Sequence, residues 1–277
     1  LEWMTDIGHI GVFKEDHDGA MARFIGEADV IFCMDFNQIN RLDRVTDTVT
    51  ANTTAVRVLI DHHLHPPVDG YAVQFSDTHA CSTSYIVYQL LEALAGTDAI
   101  DQAMAESLYV GIMTDTGNFS FSSLTSDLFR AVAVLIDKGV NVPYVNSSVY
   151  NNFSEGRMRL LGYMLNDKMV TDYEFGVAYV SLTEEEMRRF DFIQGDSEGF
   201  VNYPLSIRGI RMSAMFIQTK HSIRVSLRSR GEVDVNVFAR RYFDGGGHRN
   251  AAGGKSYVPM NETLENFRKY LREYFGA

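Results

Sequence analysis

The chain is 277 residues long, 45% apolar and 22% charged, with a formal net charge of −11. That length allows two domains with substantial cores, and the acidic balance argues against a general binder of long nucleic acid, which needs a broad basic face. Cys33 and Cys81 are its only cysteines, which excludes a disulfide scaffold and a cysteine-based zinc module and fits a reducing, cytoplasmic compartment. No apolar run reaches the length of a membrane helix, and no signal-peptide pattern is visible.

The chain begins at Leu1, and Leu1–Trp3 reads like the middle of an element, so a segment ahead of it is expected. From Ala28 to about Gly139 the pattern is α/β. "ADVIFCMD" (28–35) and "VRVLID" (56–61) are apolar runs ending in Asp35 and Asp61, and "YAVQF" (71–75) is a third short strand. Such runs suit parallel strands covered on both faces. Helical periodicity follows at Tyr85–Leu94, Met104–Met113 and Leu128–Ile136, with Gly139 as a stop. Residues 140–172 read as the hinge region, in which "SEGRMRLLGYMLNDKM" is a helix capped by Ser154. The charges of "SEGRMRL" read as a solvated helix face.

Beyond Phe175 the pattern changes. "FGVAYVSL" is a strand, and Thr183 with Glu186 has the spacing of a capping box. "IRMSAMFIQT" and "SIRVSLRSR" form a hairpin around Lys220–His221. "VNVFARRYF" is a helix after Asp234, and "NETLENFRKYLREYF" is an amphipathic helix with Leu264, Phe267, Leu271 and Phe275 on one face. The expected organisation is a domain at 1–150, a helical linker at 151–172 and a second domain at 173–277.

Four stretches carry chemistry. In "RVLIDHHLH" a buried strand ends in Asp61, His62 and His63. Ligands in open parallel sheets bind beyond the carboxyl ends of strands, and neutral imidazole is a common metal ligand and proton carrier. Asp35 in "MDFN" occupies the corresponding end of the previous strand. Asp115 lies in "TDTGNFSFS" (114–122), among small polar residues that leave room for a metal or phosphate. Carboxylates with imidazole and no thiolate suit magnesium or manganese, and imidazole favours manganese. In "GGGHRNAAGG" (245–254) the glycines remove side-chain bulk and expose backbone N–H groups to an approaching phosphate. Arg228 is its natural bidentate partner. Tyr242 and Phe243 beside the glycines argue mildly for a nucleobase.

Together and in this order, these stretches resemble the DHH phosphoesterases, and specifically the two-domain DHH–DHHA1 branch of nano-RNase and 3′-phosphoadenosine-5′-phosphate phosphatase type. The resemblance implies an α/β fold: a parallel-sheet DHH domain, its N-terminal part missing, plus a smaller mixed-sheet DHHA1 domain. It implies two Mn²⁺, with Mg²⁺ or Co²⁺ as alternatives, shared by Asp35 and completed on one side by His62 and Asp115. His63 would act at the scissile phosphate, oriented by Asp61. Gly245, Gly246, Gly247 and His248, with Arg228, Ser229 and Asn236, would grip a terminal phosphate. The implied reaction is metal-dependent hydrolysis of short single-stranded oligonucleotides to mononucleotides, and of nucleotide phosphates such as 3′-phosphoadenosine 5′-phosphate. Long duplexes and membranes are not expected partners, and a homodimer is allowed. Alternatives within enzymes are a cyclic- or linear-dinucleotide phosphodiesterase or an exopolyphosphatase, and outside them a non-catalytic nucleotide-binding regulator. The family's earlier His-Pro-Asp-x-Asp motif is not present. "KEDHDGAMAR" (14–23) resembles it only superficially, so Asp16, His17 and Asp18 are not expected to be ligands.

Overall fold

The computed structural model describes residues 1–276 except 14, 15, 121 and 122. Lys14 and Glu15 of the 14–23 segment, and Phe121 and Ser122 of the 114–122 motif, therefore lie outside the described residues. The chain divides into two contiguous compact units, Leu1–Asn152 and Phe153–Ala277.

The first unit runs α1 (Ala20–Gly26), β1 (Val30–Met34), α2 (Thr46–Ala51), β2 (Val56–Asp61), β3 (Val73–Ser76), then helices α3 (Thr83–Ala95), α4 (Gln102–Asp115), α5 (Ser126–Asp137) and α6 (Val142–Tyr150). The strands form a parallel sheet in the order β1-β2-β3, with Met34 opposite Ile60 and Ile60 opposite Phe75. Both aspartate-terminated strands thus finish at the same edge. Local chemistry explains the helix starts: Ser82, Asp101, Thr125 and Asn141 each accept a hydrogen bond from a backbone N–H in the first turn of α3, α4, α5 and α6. Helix α6 lies at the start of the 140–172 stretch and inside the domain expected at 1–150. Its signal was the Asn141 cap with Pro143 in the first turn. Gly111 brings α4 against α3, since a Cβ there would lie 1.9 Å from Ser84 Oγ. That close approach fixes where Asp115, the last residue of α4, ends up.

The expectation that both sheet faces are covered holds for β2 and not for β1. Helix α3 packs Ile86 onto Val58 and Ile60. Alternate β1 residues remain open, with Phe32 60% exposed, because one helix spans the central strand and leaves the outer one bare on that face.

The second unit runs α7 (Glu155–Tyr163), β4 (Val170–Asp172), β5 (Val177–Leu182), α8 (Glu184–Arg188), β6 (Met212–Gln218), β7 (Ile223–Ser229), α9 (Val235–Tyr242), β8 (Gly246–His248), β9 (Ala251–Ser256) and α10 (Met260–Phe275). Its mixed sheet has the order β4-β5-β6-β7-β9-β8, with only β5 and β6 parallel. One core joins Phe216, Val225 and Leu227 to Phe238 of α9 and to Phe267 and Leu271 of α10, and Leu264 and Phe275 pack at its margin. A second core joins Val180, Leu182, Met215 and Ile217 to Leu160, Met164 and Phe200. The Thr183–Glu186 capping box forms as its spacing predicts. The "SEGRMRL" helix is not wholly solvated: Arg157 is buried, donates to the Asp196 and Glu198 carbonyls and stacks over Phe153.

Candidate metal and phosphate sites

In the first unit, β1 and β2 deliver their terminal aspartates side by side, and α4 delivers Asp115. Asp35 has φ +64, a left-handed conformation that aspartate tolerates better than most residues. The Asp35 N–H is held by the Ile60 carbonyl at 3.1 Å, and its Oδ1 accepts from Thr83 Oγ1 at 2.9 Å. His62 Nδ1 lies 3.3 Å from the Ala80 carbonyl. A carbonyl can only accept, so Nδ1 is the nitrogen that donates there, which leaves Nε2 as the one that can ligate a cation. That Nε2 stands 3.6 Å from Asp35 Oδ1 and 3.6 Å from Asp115 Oδ2.

Those separations are long for hydrogen bonds but fit a shared cation. Two ligands each about 2.1 Å from one divalent ion lie about 3–3.6 Å apart at ordinary coordination angles. Donor atoms of Asp35, His62 and Asp115 all fall within 4.8 Å of one another, and Asp35 belongs equally to a second such group with Asp61 and His63. Burial raises the Asp115 carboxyl above its ordinary range, His62 opposes that, and Asp35 adds to it. A cation would relieve both the burial and the repulsion.

Asp61 is 0% exposed. Its Oδ1 sits 2.6 Å from His63 Nδ1, and its Oδ2 accepts the His63 N–H at 3.1 Å. Burial alone would raise this carboxyl, but the contacts with His63 and the nearby His62 outweigh it and hold the group below its usual range. The ionised Asp61 therefore fixes both the rotation and the tautomer of the His63 ring. The following motif turns sharply: Gly117, Asn118 and Phe119 all have positive φ, at 56°, 55° and 58°. Glycine adopts this conformation freely, so the local strain falls on Asn118 and above all on Phe119. Asp16 lies elsewhere in this scheme, since its two oxygens accept from Met21 and Ala22 at the start of α1.

In the second unit the glycine-rich stretch is a hairpin, β8–β9, rather than an open loop. A Cβ on Gly245 would meet the Gly253 carbonyl at 2.0 Å, and one on Gly247 would meet the Ala251 carbonyl at 2.5 Å. The glycines thus let two backbones close on each other, a need separate from making room for a phosphate. The Gly247 N–H is also not exposed; it donates to Asn236 Oδ1 at 3.0 Å. Asn236 is buried and sets the position of the hairpin from α9. Ser229 is likewise buried, its hydroxyl donating to the Val233 carbonyl and accepting from Asn250 Nδ2, which leaves it poorly placed as the phosphate ligand expected of it. Arg228 lies on β7 opposite Ala251 of β9, which in turn pairs with His248 of β8. Burial lowers the Arg228 pKa and Glu198 opposes that; the guanidinium stays charged. Phe243 is 3% exposed, packed on Phe216 and Phe238, and Tyr242 stacks on Tyr270 at 4.4 Å. The nucleobase contact expected of Phe243 is therefore not on offer, because the core has already taken that ring.

The DHH family N-terminal domain model matches residues 5–112 and the DHHA1 domain model matches residues 173–277. The bifunctional oligoribonuclease and PAP phosphatase NrnA of Bacillus subtilis (strain 168) is 30% identical over 251 residues, covering 89% of this chain and 73% of that protein. The chain belongs to the DHH–DHHA1 phosphoesterase family. An exopolyphosphatase-related protein of Bacteroides fragilis, known as a crystal structure, superposes with TM-score 0.93 at 38% identity, covering 99% of this chain and 79% of that one. The cyclic-di-AMP phosphodiesterase GdpP of Bacillus subtilis is 28% identical over 227 residues, covering 79% of this chain and 32% of that protein.

Sequence reasoning about this DHH–DHHA1 chain missed two groups around the donors. Thr83 orients Asp35, and the Ala80 carbonyl selects the His62 tautomer. Thr83 carried a faint signal, as a hydroxyl directly after a helix cap. A backbone carbonyl carries none, because only folding brings it to the ring. No helix of the described residues is long and apolar enough to cross a membrane.

Proposed function

We propose that this protein hydrolyses short single-stranded oligonucleotides to mononucleotides, and 3′-phosphoadenosine 5′-phosphate to its monophosphate, with two Mn²⁺ as the native ions. One observation carries the reading: His62 Nε2, with its proton held on the far nitrogen, stands 3.6 Å from the carboxylates of both Asp35 and Asp115. Asp35, His62 and Asp115 would hold one ion, and Asp35 would be shared with a second. Divalent ions bound there supply a water of lowered pKa and neutralise charge on the phosphoryl oxygens. His63, held by Asp61 through Nδ1, would act as the imidazolium, which the ionised Asp61 stabilises, and give the proton on its other nitrogen to the leaving oxygen, returning to the neutral ring. Arg228, His248 and the β8–β9 hairpin bind a phosphate of the substrate. A cytoplasmic location suits this role, as the two unpaired cysteines do.

The test is incubation of the full chain with Mn²⁺ and an end-labelled dinucleotide. Mononucleotide release supports the reading; tight binding without turnover would make the protein a nucleotide-binding regulator. The burial of Phe243 favours a second reading, hydrolysis of polyphosphate, which offers no base to stack. The Bacteroides fragilis protein carries a matching name. Release of inorganic phosphate from polyphosphate at a rate exceeding dinucleotide cleavage would select it.

A further inference from the structure

Four arginines lie on or near the β8–β9 hairpin of the second unit. Arg241 is paired with Glu273 and Arg249 with Glu232, so their charges are locally neutralised. Arg228 is the expected phosphate ligand. Arg240 differs from all of these. It sits in the last turn of α9, it makes no ion pair among the described residues, and its Nε donates to Asn236 Oδ1 at 3.1 Å. That same oxygen accepts the Gly247 N–H at 3.0 Å. One neutral, buried amide therefore ties the guanidinium and the glycine backbone into a single unit. An aspartate at 236 would make the same contacts and cancel the charge; asparagine keeps it.

The guanidinium also lies along the bare side of Gly246. A Cβ there would be 3.6 Å from Arg240 Nε and 3.7 Å from Nη2. With Nε tethered, both terminal nitrogens remain as donors, with no hydrogen bond to any other described residue. A guanidinium with one donor anchored has lost most of its conformational freedom before a ligand arrives, and its fork matches two oxygens of one phosphate.

We infer that Arg240 is a second anion contact of the phosphate-binding hairpin, with Asn236 as its positioning residue, and that it makes the protein prefer substrates ending in a phosphomonoester. This rests on the proposed phosphoesterase reading. A terminal monoester carries about two negative charges near neutral pH, against one for an internal diester, so a second cation adds more to its binding.

The experiment compares kcat and KM for pApA and for ApA, which lacks the 5′-phosphate, in wild type, Arg240→Ala, Arg240→Lys and Gly246→Ala. Arg240→Ala is expected to reduce the preference for pApA over ApA at least tenfold, with the loss in KM. Arg240→Lys should restore part of it. Gly246→Ala, whose methyl would enter the gap beside the guanidinium, should lower it by a smaller factor. An unchanged preference, or an equal loss on both substrates, overturns the inference. If wild type cleaves neither dinucleotide, the phosphoesterase reading fails and calorimetric titration of the metal-free protein with AMP decides the matter. A tenfold weaker affinity in Arg240→Ala then sustains the anion contact, and an equal affinity overturns it.

Discussion

At the scale of single residues the chemistry turns on which nitrogen of each histidine is already committed. His62 spends Nδ1 on a backbone carbonyl and His63 spends Nδ1 on Asp61, and under the proposed function their second nitrogens would do different work, one toward a cation and one toward the leaving oxygen. His63→Ala is expected to lower kcat by roughly 10²–10⁴-fold, the usual worth of a positioned proton donor, while KM stays within a few-fold. Steady-state kinetics on a dinucleotide checks this, and a loss confined to KM would assign His63 to binding. Asp61→Asn keeps the shape but leaves His63 facing an amide that can present either N–H or C=O. Turnover should fall while Mn²⁺ affinity, measured by calorimetry, changes little if Asp61 acts only through His63. The identities of these residues were readable before folding, because strand-terminal carboxylates and adjacent imidazoles are visible in a string. Their orientation was not, since it depends on Ala80 and Thr83, which lie 18 and 48 residues from their partners His62 and Asp35.

At the scale of elements, legibility follows how local the determining physics is. Helices α3, α4, α5, α9 and α10 announce themselves through apolar spacing and caps, all within a few residues. The β8–β9 hairpin did not, because glycines carry no pattern and its pairing depends on Phe243, Asn236 and β7. The close contacts there separate two glycines that look alike in the string. Gly247→Ala combines φ +148 with a Cβ only 2.5 Å from the Ala251 carbonyl. It should cost about 2–4 kcal/mol by strain and overpacking, read as a lower urea midpoint. Gly246→Ala meets nothing nearer than 3.5 Å and should leave the midpoint nearly unchanged. Equal effects would show that the hairpin does not close as described. The capping box of α8 makes a prediction with a pH axis. Burial alone would raise the Glu186 carboxyl, but hydrogen bonds from Lys168, Thr183 and Tyr163 outweigh it and hold it at about 2, against a reference of 4.5. A depressed folded-state pKa means the stabilisation is full above pH 4.5 and disappears as pH falls toward 2. Glu186→Gln should therefore lose about 3 kcal/mol at pH 7 and converge with wild type in acid. Parallel stability curves from pH 7 to pH 3 would contradict this.

At the scale of the whole molecule the excess of acid limits what can bind. With 36 Asp and Glu against 25 Lys and Arg, the surface repels a long polyanion. Under the proposed function, attraction would come from a few local cations, the arginines at the hairpin and the ions that the Asp35 cluster would hold. Salt dependence counts those contacts directly, since each neutralised phosphate of a single strand contributes about −0.7 to the slope of log affinity against log salt. A substrate held through one or two phosphates should give a slope of about −1, far shallower than the steep dependence of proteins that track a duplex. Arg228→Ala should weaken binding and flatten that slope by roughly 0.7, whereas a charge removed elsewhere, as in Arg159→Ala on the exposed face of α7, should leave it unchanged. Long duplex DNA added to the assay should not compete. A slope of about −3 or steeper for a dinucleotide, or inhibition by duplex at matched phosphate concentration, would mean that an extended basic track exists and that recognition is not confined to the hairpin and the metal cluster.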